Sequence, residues 1–169
     1  MRAATIRPLA PTDSIEELTA LLHRAYAELA AMGLRYSATH QSSEVTAARA
    51  SEGECALAVL DGVVVGTITL VPPDRARGTA WYDRSDVATF GQFGVEPHLK
   101  RHGIGSALLE HVVARALALG ARELACDTSE RALHLIEYYA RRGFRQVGFA
   151  DWRPHTNYRS VILSRALSP

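Results

Sequence analysis

KRHGIGSALLEHVV, residues 100–113, sets two glycines two positions apart behind a basic cluster and runs at once into a helical repeat. A helix start leaves backbone N–H groups without intrahelical partners, and the macrodipole adds partial positive charge there. Together they make an anion site suited to phosphate. Glycine removes the Cβ that would hold the anion off, so Gly103 and Gly105 line the turn. The amides of residues 101–106 then converge on a pyrophosphate, with Lys100, Arg101 and His102 adding charge outside. Read alone, the same letters fit a glycine-containing loop with a solvated basic patch. Two common phosphate motifs are excluded. No Gly-Lys-Ser/Thr ending makes a Walker loop, and Leu108 occupies the third glycine position of the dinucleotide fingerprint.

The elements around the stretch set its context. ATFGQFGV (88–95) reads as a strand whose internal Gly91 and Gly94 indicate a bulge or a close backbone approach. Ile104, Leu108, Val112, Ala116 and Leu117 form the core face of the following helix, which Gly120 stops. ELACD (123–127) is a short strand, 129–142 a second helix ended by Gly143, and RQVGFADW and YRSVILSRA two last strands. Upstream, ATIRPLA (4–10) is a first strand. Ser14 and Glu17 have capping-box spacing, and apolar residues from Leu18 to Leu29 repeat helically until Gly33. Ser42 and Ser43 open a short helix toward Gly53. ALAVL and VVVGTITL flank Asp61-Gly62, the signal of a type I′ hairpin. The 72–86 segment is a polar loop. The expected fold is a single α/β (α+β) domain over 1–169, with one mixed, mostly antiparallel twisted sheet of about six to seven strands flanked by about four helices.

Composition narrows the partners. With 169 residues and 47% apolar content, the chain can bury one sizeable core. A net charge of +1 gives no case for nucleic acid or membrane as the main partner. No apolar run spans a bilayer, and the N-terminus lacks a signal-peptide stretch. Cys55 and Cys126 read as buried thiols of a reduced, cytoplasmic protein. No His, Cys or acid cluster has metal-ligand spacing, so no metal is expected.

At FGVEPHLKRHGIGSALLEHV the chain resembles the GNAT family of N-acetyltransferases. The family's loop reads Gln/Arg-x-x-Gly-x-Gly/Ala after a bulged strand, and Lys100 to Gly105 match it with Lys100 at the Gln/Arg position. Downstream, IEYYARRGFRQVGF resembles the family's Tyr-x-x-x-Gly-Phe segment through Tyr139, Gly143 and Phe144. The resemblance implies acetyl-CoA as cofactor. Its pyrophosphate would rest on Lys100, Arg101, His102, Gly103, Ile104, Gly105 and Ser106, and its pantetheine would run beside Phe93, Gly94 and Val95. The Val95 N–H would polarise the thioester carbonyl.

Direct acyl transfer needs a neutral amine, hence a base or a water relay. Tyr139 is the implied acid at the leaving sulfur, with a core tyrosine as the other reading. For the base, Asp127 and Asp86 are the candidates; Asp127 serves equally well as a helix cap. Tyr26, Tyr36, Trp81 and Tyr82 are candidates for the acceptor pocket, or for a packed rim. The expected partner is a small-molecule amine. A protein or peptide amine, a catalytically silent CoA-binding module, a scaffold for another phosphate ligand and a homodimer through the last strands stay open.

Overall fold

The computed structural model describes residues 3–168. Seven strands form one sheet: β1 (Thr5–Pro8), β2 (Glu54–Leu60), β3 (Val63–Val71), β4 (Val87–Val95), β5 (Glu123–Ser129), β6 (Arg145–Ala150) and β7 (Ser160–Ala166). Their spatial order is β1-β2-β3-β4-β5-β7-β6, antiparallel throughout except for β4 and β5. Five helices pack on it: α1 (Ile15–Ala25), α2 (Ala27–Ala31), α3 (Ser43–Ser51), α4 (Ile104–Ala118) and α5 (Leu133–Ala140). The expected mixed α/β sheet is present.

Local chemistry sets most boundaries. Ser14 Oγ accepts from the Glu17 N–H at 3.1 Å and opens α1; Ser42 does the same for α3 through Val45. Asp61 and Gly62 both take positive φ, 50° and 80°, as a type I′ turn requires. Two expectations shift. The first helix is broken at Tyr26 into α1 and α2. β5 runs on to Ser129 because its ladder with β7 continues to Ser160, so α5 starts only at Leu133.

The two-residue period of β2 shows how both sheet faces are covered. Ala56 and Ala58 turn to one face and join Ile68, Leu70, Ala88 and Leu124 under Leu108, Leu109 and Val112 of α4. Cys55 and Leu57 turn to the other and meet Leu18 and Leu21 of α1 and Ala50 of α3. Cys55 and Cys126 are buried and free.

One irregularity makes the site. β4 and β5 pair in parallel only from Val87 to Thr89 against Glu123 to Ala125. Gln92, at φ 47°, sits in a bulge that shifts the β3–β4 register between Thr67 and Thr69. A bulge bends its strand and increases its twist. Beyond Thr89 the two strands part, and β4 keeps a hydrogen-bonding partner on its β3 side only.

Candidate active site

The gap between β4 and β5 opens into a cavity of about 1190 Å³, walled by residues 90–95, the start of α4, α5 and a group of tyrosines. At one end is the turn before α4. Gly103 is the N-cap at φ 82°, with nothing within 4 Å of where a Cβ would stand, so conformation rather than space calls for glycine there. Arg101 also adopts positive φ, 68°. Ala107 is the first amide to find a helical acceptor, the Gly103 carbonyl at 3.0 Å. Among the described residues, none of the amides of 101–106 donates to a protein acceptor. A Cβ on Gly105 would stand 3.3 Å from Tyr138 Oη and fill the cradle. These orphan donors and this space fit a pyrophosphate.

Of the residues expected here, Lys100, Arg101, Gly103, Gly105 and Ser106 line the cavity. Ile104 instead points into the core, and His102 is an exposed residue outside the lining. Lys100 Nζ lies 3.6 Å from Glu28 Oε2 of α2. Arg142 is an addition that the sequence reading missed. Its guanidinium stacks 3.6 Å over the Tyr138 ring and reaches Ser106 Oγ at 3.4 Å. The four-residue spacing of Tyr138 and Arg142 within the helix expected over 129–142 was the available signal.

In the middle, Phe93, Gly94 and Val95 line the cavity along the free edge of β4. Glu96 N–H bonds the Val65 carbonyl of β3 at 2.8 Å. Strand alternation therefore turns the amide of Val95 to the open edge. Gly94 is required for packing: a Cβ there would stand 2.8 Å from Ala25 Cβ of α1. Tyr139 also lines the cavity, against Phe90, Phe144 and Tyr138. Burial pushes its phenol well above the usual range, so it stays protonated.

The far end holds Asp127, Tyr26, Tyr36, Trp152 and Tyr158. Asp127 Oδ1 accepts from Tyr82 Oη at 2.6 Å and Oδ2 from Trp152 Nε1 at 3.0 Å. Enclosure raises its pKa, while the two donors and the Arg49 charge pull the other way. Asp127 is not a cap, since the N-cap of α5 is Ala132, which makes no side-chain bond. Tyr36 Oη bonds Thr128 Oγ1 at 2.7 Å, and its ring packs on Tyr26 and Tyr158. The Tyr26 phenol, buried against the Phe93 backbone, is pushed up to about 12.

Three expected residues fall elsewhere. Tyr82 is buried behind Asp127, outside the lining. Trp81 donates to Ser164 at 3.1 Å and carries Arg84 over its ring. Asp86 is clamped by Arg84 at 2.9 and 3.0 Å at the opposite end of β4 from Val95. The 72–86 loop thus packs against the sheet rather than the cavity, apart from what Tyr82 does through Asp127.

Segment 151–159 is tied to the stretch after α2. Asn157 bonds Gly33 O and Arg35 N–H, Arg35 bonds His155 O, and Ser37 bonds His155 Nε2 at 2.8 Å. Among the described residues no cluster of three or more His, Cys, Asp or Glu can hold a metal, and no helix is long and apolar enough to cross a membrane.

Comparison with known proteins agrees with this geometry. The model of the acetyltransferase (GNAT) family matches residues 15–144. S-(2-succino)cysteine N-acetyltransferase of Bacillus subtilis is 28% identical over 145 residues, 85% of this chain and 86% of its own. A GNAT family acetyltransferase of Elizabethkingia anophelis, solved with acetyl-CoA bound, superposes with a TM-score of 0.71 at 19% identity, covering 99% of this chain and all of its own. The ribosomal-protein-S18-alanine N-acetyltransferase of Escherichia coli does so at 0.72 and 19%, covering 98% of this chain and 95% of its own. The open strand edge, the uncapped helix start and a family match over most of the chain lead to one conclusion: the chain belongs to the GNAT family and is an acetyl-CoA-dependent acyltransferase.

Proposed function

We propose that the protein transfers the acetyl group of acetyl-CoA to the amino group of a small molecule. One observation carries this: the orphan amides of 101–106, the free edge of β4 and the carboxylate of Asp127 share a single cavity. Acetyl-CoA bound there supplies the acetyl carbon: its bond to sulfur breaks as the bond to the amine nitrogen forms, and the amine gives up a proton.

The amides of 101–106, with Lys100, Arg101 and Arg142, would hold the pyrophosphate. The β4 edge at Phe93 and Val95 would orient the pantetheine arm and polarise the carbonyl oxygen through an N–H. Tyr139 stays protonated, so it serves the departing sulfur as a hydrogen-bond donor. Its high pKa disfavours a full transfer to a thiolate, whose conjugate acid is far stronger. Asp127 is the base. Tyr82 and Trp152 orient it, and its raised pKa brings it closer to the range where a base works at neutral pH.

A small acceptor is favoured over a protein by the tie between Gly33–Ser37 and His155–Asn157. It bridges the first helices and the last strands, where a protein acceptor needs an open groove. The curated relative, named for a small-molecule acceptor, supports the same reading.

The test is incubation with acetyl-CoA and an amine panel that includes S-(2-succino)cysteine, free amino acids, polyamines and a lysine peptide. Thiol release is read together with the mass of the N-acetyl product. Turnover confined to small amines is expected. Turnover of the peptide alone points to a protein acceptor, and thiol release with no amine sinks the proposal.

A further inference from the structure

We propose that Arg49 is an anion anchor in the acceptor half of the cavity, and that the acceptor is therefore an amine carrying a carboxylate, an amino acid or a close derivative. The inference rests on the acetyltransferase reading above and adds the substrate class.

Arg49 projects from α3 and lines the cavity. Its guanidinium is held in place from behind. Nη1 donates to Gln41 Oε1 at 2.8 Å. Gln41 is itself buried, and its Nε2 donates to Gln92 Oε1 at 2.6 Å and Thr46 Oγ1 at 2.8 Å. Nη2 lies beside Gly91 of β4, where a Cβ would stand 3.2 Å away. Glycine at 91 therefore makes room for the arginine at the foot of the free strand edge.

What the guanidinium lacks is a counter-ion. Among the described residues no carboxylate lies within ion-pair distance of Arg49. One side-chain hydrogen bond uses one of its five N–H donors. A partly desolvated cation with unused donors is costly, and a ligand carboxylate removes that cost through a forked, charge-assisted pair. The Nε2 of Gln92, another cavity-lining residue, is likewise buried without a partner. Burial raises the pKa values of Asp127, Tyr26 and Tyr158, all of which line the cavity, and the Arg49 charge pulls each the other way.

Position separates this anion site from the phosphate end. Gly91 lies four residues before Val95, and Gly103, the N-cap of α4, follows Val95 by a further eight. Only the bulged Gln92 separates Gly91 from Phe93, and Arg49 and Asp127 line the same cavity. Asp127 supplies the opposite charge. An amino acid held this way presents its carboxylate to Arg49 and its nitrogen to Asp127. An amine without the carboxylate leaves Arg49 uncompensated, and sites of this kind discriminate strongly against such analogues.

The test compares matched amines: methionine with 3-(methylthio)propylamine, phenylalanine with phenethylamine, lysine with cadaverine. For each pair, kcat/KM is measured from thiol release with the full-length wild type, Arg49→Gln and Arg49→Lys, and acetyl-CoA affinity is measured by calorimetry on all three. We expect the wild type to prefer the carboxylated member. In Arg49→Gln the preference ratio should fall by about 10- to 100-fold, the scale of a lost charge-assisted pair, mainly through KM. Arg49→Lys should restore part of it, and acetyl-CoA affinity should hold in both variants. Equal turnover of both members by the wild type, an unchanged ratio in Arg49→Gln, or a loss confined to acetyl-CoA affinity overturns the inference and leaves the acetyltransferase reading intact. Bound acetyl-CoA with no thiol release from either series sinks that reading and this inference with it.

Discussion

The hydroxyl of Tyr82 donates to Asp127 Oδ1 at 2.6 Å from behind the cavity wall. Trp152 holds the second oxygen, so the carboxylate is oriented on both sides while it faces the cavity. The two bonds stabilise the anion against an enclosure that favours the acid.

As the proposed base, Asp127 works only when ionised, and its pKa is raised. The acid limb of the kcat/KM profile should therefore lie above the ordinary aspartate value of about 4. Asp127→Asn should remove that limb and lower kcat by about 10²- to 10⁴-fold, with acetyl-CoA affinity unchanged. Tyr82→Phe deletes a bond that lowers the Asp127 pKa, so its limb should move to higher pH. A profile that stays where it is in Tyr82→Phe would show that the limb belongs to another group.

Tyr139→Phe removes the hydroxyl proposed to donate to the sulfur without changing the packing shape of the ring. Loss of a single preorganised donor typically costs about 10²-fold or more in kcat. The phenol titrates well above its usual range, so the loss should be the same at every pH up to about 9. Single-turnover kinetics with saturating acetyl-CoA measure it directly. Weaker acetyl-CoA binding with unchanged kcat would make Tyr139 a packing residue.

At the other edge of the sheet, Arg7 clamps Asp13 through two bonds of 2.8 Å, and Asp13 also accepts from the Ala10 N–H at 2.7 Å. The Arg7 bond, then the Ala10 bond, hold the carboxyl down at about 2. The unfolded chain protonates this group near 4, so between those values it binds more protons than the folded chain. The stabilisation is present above pH about 4 and is lost as pH falls toward 2. Asp13→Asn should lower the melting temperature at pH 7 and flatten its decline in acid, as thermal scans from pH 2 to 7 would show.

Features set by neighbouring residues were legible in the sequence. The Asp61-Gly62 turn, the Ser14 and Ser42 caps and the start of α4 depend on a few adjacent letters, and all form as read. The tight turn into α4, with Gly103 at positive φ, was legible for the same reason. What failed depends on distant pairing. α5 starts late because Thr128 and Ser129 find Val161 and Ser160 on β7. Asp86 and Trp81 looked close to the chemistry because they precede β4. Yet nine residues, about 30 Å of extended strand, separate Asp86 from Val95. Arg49 stood out least of all. On a short polar helix it reads as a solvated charge, and only the fold brings it to Gly91 and Gln41.

Calorimetric titration of acetyl-CoA into the wild type and Gly105→Val tests most directly whether the α4 turn is a cradle for acetyl-CoA. Valine at 105 puts side-chain atoms into the space beside Tyr138 Oη. Binding by the wild type, with at least a tenfold loss in Gly105→Val and no binding of ATP or NAD, is the expected result. Equal affinity of the wild type and a folded Gly105→Val for acetyl-CoA would contradict the account.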